Sequence, residues 1–135
     1  MTLGTWDPNI ARNKSEFIVD RKLLSRFIEF ARNEQLDKLA ELLNPAEQQN
    51  YVAYMQVNKD DWFEAASPLS NEQIEDLMRF FTVAENLPGW EAGEKSPVIW
   101  LGKILKIRGV GINRELLVWI KRHSTNHYLP HGALL

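Results

Sequence analysis

Apolar residues recur along this chain at every third or fourth position, and the recurrence breaks at Pro, Gly and small polar residues. Both features predict short amphipathic α-helices. Asp20 is placed to cap a helix through about Arg32, on which Leu23, Leu24, Phe27, Phe30 and Ala31 share one side. Leu36, Leu39, Ala40 and Leu43 repeat the spacing in a shorter helix that Asn44-Pro45 stops. The same Asn44, with Pro45 and Glu47, starts a third helix to about Val57, with Tyr51, Tyr54 and Met55 turned inward. From Asn58 to Ser67 the pattern predicts one or two turns, with Trp62 and Phe63 behind Asp60 and Asp61. Those acids suit the positive end of a helix dipole.

Ser70 and Gln73 form a capping box before Ile74, Leu77, Met78, Phe81 and Ala84, and Leu87-Pro88-Gly89 closes that helix. Ser96-Pro97 opens the next, which Gly109 ends in a left-handed cap, and Asn113 starts a last helix to about His123. Between Pro97 and Arg108, the residues Val98, Trp100, Leu101, Ile104, Leu105 and Ile107 sweep roughly half of the circumference, leaving Ile99 outside. Leu116, Leu117, Trp119 and Ile120 make a similar arc, with Val118 isolated between Lys121 and Arg122. The two helices predict a hairpin through Gly109-Val110-Gly111-Ile112, central to the core or presenting a face to another chain. No stretch alternates with period two for long, and no Asn-Gly or Asp-Gly hairpin signal occurs. The expected fold is therefore all-α: a compact bundle of five to seven short helices with a C-terminal helical hairpin. Residues 1–14 are expected to form an arm docking through Trp6, and residues 15–135 a single helical domain.

Composition narrows the chemistry. With 135 residues, 44% of them hydrophobic, one core can form without staples. The absence of Cys removes disulfides, thiol nucleophiles, thiolate zinc sites and iron–sulfur clusters. No window approaches the roughly 20 apolar residues of a membrane span, and no basic segment leads an apolar run at the N-terminus, so a cytoplasmic location is expected. The net charge of −2 conceals −8 through Glu94 and +6 after it. Either the halves face each other or stay solvated within one fold, or the basic end meets an acidic partner.

The basic hairpin raises a DNA-binding helix-turn-helix, but Leu105 sits where close helix crossing favours a small side chain, and Glu115 has the wrong sign for phosphate. In the sequence RGVGINRE, Gly109, Gly111 and Arg114 form a weak anion-binding candidate beside Arg108; no strand precedes them, and a helix cap explains the glycines. His123, His127 and His131 are spaced by four, but Pro130 and Gly132 break a helix there, so a solvated tail and no metal site are expected, with Tyr128 and Leu129 as anchors onto the hairpin. Asp60 with Asp61, and Glu72 with Glu75 and Asp76, fall in first helical turns, where dipole complementarity accounts for them. The segment VIWLGKILKIRG has an interfacial composition but lies between packed helices, so no membrane contact is expected. Neither catalysis nor a cofactor is expected. Five Trp and the basic end point instead to a partner-binding surface of Trp90, Trp100, Lys103, Lys106, Arg108, Arg114 and Arg122. The expected function is a non-catalytic protein–protein interaction module or homo-oligomer. The alternatives are nucleic-acid binding through the basic hairpin, and an enzyme acting on an anionic small molecule.

Overall fold

The structure, a computed structural model, describes residues 18–129; the arm at 1–14 with Trp6, and His131 with its neighbours, lie outside the described residues. Among the described residues seven α-helices and no strand occur: α1 (Arg21–Arg32), α2 (Leu39–Leu42), α3 (Pro45–Tyr51), α4 (Lys59–Ala66), α5 (Asn71–Ala84), α6 (Pro97–Ile107) and α7 (Arg114–His123). Short 3₁₀ turns join several of them, at Leu36–Lys38, Val52–Gln56 and Gly93–Lys95.

Most helices begin at a side-chain cap. Asp20 accepts from the Lys22 amide, Asn58 from Asp61, Ser96 from Val98 and Asn113 from Leu116, while Asn44–Glu47 and Ser70–Gln73 form reciprocal capping boxes. The expected third helix is interrupted: after Tyr51 the chain tightens into the 3₁₀ turn, which buries Tyr54 and Met55 while Tyr51 stays half-exposed.

Helix α5 is the hub on which α1, α6 and α7 pack, and α6 also leans on α4. At its centre Phe27 of α1 stacks on Phe80 of α5 with ring centroids 4.0 Å apart, and Phe81 sets its edge against Phe27 and Trp62. Such pairs add roughly 0.5–1.5 kcal/mol to what area burial alone contributes. The hairpin expected at the C-terminus takes a looser form, since α6 and α7 are joined by a tight turn but both rest principally on α5. Because α6 is held between α4 and α5, its buried arc is wider than one stripe. Ile99 is buried, whereas Ile107, expected inside, is 71% exposed at the last turn, beyond its neighbours' reach.

As far as Leu129, the segment after α7 is not a solvated tail. Leu129 is buried, and Asn126 donates through Nδ2 to the Gly93 carbonyl and to Glu85. The segment after α7 is thereby fastened to the loop between α5 and α6, while Tyr128 remains half-exposed. No helix among the described residues is long and apolar enough to cross a membrane.

Candidate functional site

The surface expected from the sequence does not assemble as one patch. Trp90 is 1% exposed; its amide donates to the Leu87 carbonyl in the turn closing α5, and its indole belongs to the core, so it is withdrawn as a surface anchor. Arg108 turns inward as well. Its guanidinium donates to the carbonyls of Ala66, Ser67 and Leu69 and to Asn71 Oδ1, fastening the exit of α4 and the start of α5 to the end of α6. Trp100 and Lys103 remain together on α6, with the ammonium 5.4 Å from the indole centroid, and Lys106 is exposed near its end.

The anion cradle at Gly109 and Gly111 is also corrected. Both glycines are left-handed, with φ of 81° and 71°. The amides of residues 109, 110 and 111 donate to the Lys106 and Leu105 carbonyls, an arrangement that satisfies the end of α6. Those amides are spent, and the negative end of the α6 dipole faces the turn, opposing an anion there.

Arg114 and Arg122 do come together. With Glu115, Val118 and Trp119 they line an open ledge of about 560 Å³ along α7, because positions 114, 118 and 122 repeat every four residues on a helix whose opposite side buries Leu116 and Ile120. Trp119 also forms a wall of a second concavity, a cleft of about 450 Å³ between α7, α5 and the end of α1. Ala31, Leu36 and Val83 supply its apolar lining, and Glu34, Asp37, Asp76, Arg79 and His123 its polar groups.

Within the cleft the charges differ in their freedom. Asp76 is held by Arg32 at 2.7 Å and by Arg79 at 3.7 Å, and that contact raises the Arg32 guanidinium above its ordinary range. Arg79 also lies over the Trp119 ring, and the His123 ring stacks on the same indole with centroids 4.0 Å apart while donating from Nδ1 to the Trp119 carbonyl. The indole is thus fixed in orientation. Glu34 and Asp37 are exposed and, among the described residues, form no ion pair. Glu34 has φ of 57° at the end of α1, where the Gln35 amide reaches back to the Phe30 carbonyl.

The same asymmetry holds at the scale of the chain. The ion pairs of the described residues join Arg26 to Glu47, Arg32 to Asp76 and Arg79 to Asp76, all within the acidic portion. None of Lys95, Lys103, Lys106, Arg108, Arg114, Lys121 and Arg122 forms an ion pair with a carboxylate among the described residues. Among the described residues the two halves therefore do not neutralise each other by direct pairing.

A buried carboxylate lies elsewhere. Glu85 is 3% exposed and accepts from the Ser96 hydroxyl, from Asn126 Nδ2 and from the Ala92 amide. Burial pushes its carboxyl up, against the lowering effect of those donors. Sealed from solvent, it ties three segments together and is not placed to meet a substrate. His123 ends α7 and His127 lies in the following turn, so they do not continue one helix, and no group of three metal-ligating side chains occurs among the described residues.

Compared with known proteins, the chain matches no family model, no curated protein and no solved structure.

Proposed function

We propose that this protein is a non-catalytic interaction module that docks another protein chain on the outer face of α7, with Trp119 at its centre. One observation carries the reading: a fixed, half-exposed indole and the exposed Val118 lie between cations and carboxylates that have no partner of opposite charge among the described residues. An aromatic centre with a charged rim is the anatomy of a protein docking site. Nucleic acid is disfavoured by Glu115 within the ledge and by Glu34 and Asp37 beside it, which oppose a phosphate backbone.

The test is a photo-crosslinking side chain at Val118 in the full-length chain, expressed in its native cell. A protein adduct that disappears on Trp119→Ala supports the reading. A nucleic-acid adduct, or none in a folded protein, overturns it.

A further inference from the structure

The geometry points to a second copy of this chain as the occupant of the α7 face. A two-fold axis near Trp119 would seat each copy's Arg114–Arg122 ledge against the other copy's cleft at Glu34 and Asp37. This inference rests on reading that face as a protein-docking surface.

In a two-fold interface each surface patch meets its own neighbourhood on the partner, so the interface must be complementary to itself. Two adjacent concavities of opposite sign sharing one aromatic wall meet that requirement, because a half-turn exchanges them. Every favourable pairing then occurs twice. Direct antiparallel pairing of α7 with itself about Val118 does not work, since it sets Arg114 against Arg122 at both ends. A purely acidic partner would satisfy the ledge but meet repulsion from Glu34 and Asp37 alongside it. A second copy brings both signs in the required order, and a net charge of only −2 leaves little long-range repulsion between copies.

Sedimentation equilibrium of the full-length chain, from about 1 μM to about 1 mM, is expected to show a monomer–dimer equilibrium that weakens with added salt. Two charge-reversed variants make the test specific: Arg114→Glu with Arg122→Glu, and Glu34→Lys with Asp37→Lys. All four positions are exposed, and circular dichroism checks that both variants fold. Each alone places like charges at both contacts and is expected to raise the dimer Kd at least about tenfold. Mixed in equal amounts they place opposite charges at both contacts, and the heterodimer is expected to return to within about threefold of the natural affinity. A wild-type chain that stays monomeric throughout, a dimer indifferent to both reversals, or a mixture that fails to recover overturns the inference. A Val118 crosslink to a different polypeptide overturns it while leaving the docking function standing, whereas loss of every protein adduct removes both.

Discussion

Backbone conformation and side-chain chemistry pull against each other at Glu34. Its φ of 57° is a region that costs an L-residue roughly 1 kcal/mol, and the position after a helix C-terminus is where glycine is usually found. Gly109 and Gly111 occupy the same region without that cost. A Cβ built on either would meet nothing within 4 Å, so substitution there is opposed by backbone strain alone. Gly109→Ala and Gly111→Ala are each expected to destabilise by about 1–2 kcal/mol, and Glu34→Gly to stabilise by about 0.5–1 kcal/mol. Urea denaturation of the three variants checks both signs at once. Glu34→Gly should also weaken self-association, because it deletes one of the two free carboxylates of the cleft. A variant more stable and yet poorer at pairing would locate a local conflict between folding and function.

At the scale of elements, helix boundaries were legible because their signals are local. Asp20, Asn44, Ser70, Ser96 and Asn113 cap the helices expected of them, and Gly109 ends α6 in the left-handed conformation. A cap acts within four residues, so its meaning survives without a tertiary structure. Facing is less local, as Ile99 and Ile107 show: periodicity gives an arc, while the neighbours decide which edge of it is covered. The site was the least legible part. Trp119 read as core, and Glu34 and Asp37 carried no motif, because the cleft unites residues from α1, α5 and α7 that are far apart in sequence. The spacing of Arg114, Val118 and Arg122 was the one available signal. Arg108 shows the converse error, in which a cation counted as surface charge is an internal tie between α4, α5 and α6. Arg108→Ala is expected to cost about 2–3 kcal/mol in chemical denaturation, since it leaves several carbonyls without their charged donor. Lys should recover only part of this, lacking the planar fork, and neither change should alter the dimer Kd measured on folded protein.

For the whole molecule, two carboxylates give opposite dependences on pH. Glu47 accepts from Arg26 at 2.7 Å and from the Asn44 amide, contacts that lower its carboxyl below the ordinary value of 4.5. Its contribution is present above that value and is lost as pH falls through the lowered native pKa. Glu85 is raised by burial, so the native state holds its proton more tightly than the unfolded chain does. Stability from this group is full below 4.5 and declines as pH rises through the raised native pKa, above which the loss is constant. The two contributions coincide only near 4.5, and the thermal midpoint is expected to peak there, to fall as pH rises through the raised native pKa of Glu85, and to level off above it. Glu85→Gln isolates the cause. Its carbonyl can keep the Asn126 and Ala92 donors and its amide can donate to the Ser96 hydroxyl, so the cluster stays satisfied while the buried charge is gone. Calorimetric scans from about pH 2 to about pH 9, at one low protein concentration so that association does not shift the midpoint, should show the decline above 4.5 flattened in this variant and the acid-side loss intact. Arg26→Ala should do the reverse, weakening the acid-side loss and leaving the decline above 4.5. If Glu85→Gln retained that decline, some group other than the buried carboxylate at the junction of α5, α6 and the C-terminal segment would have to be its source.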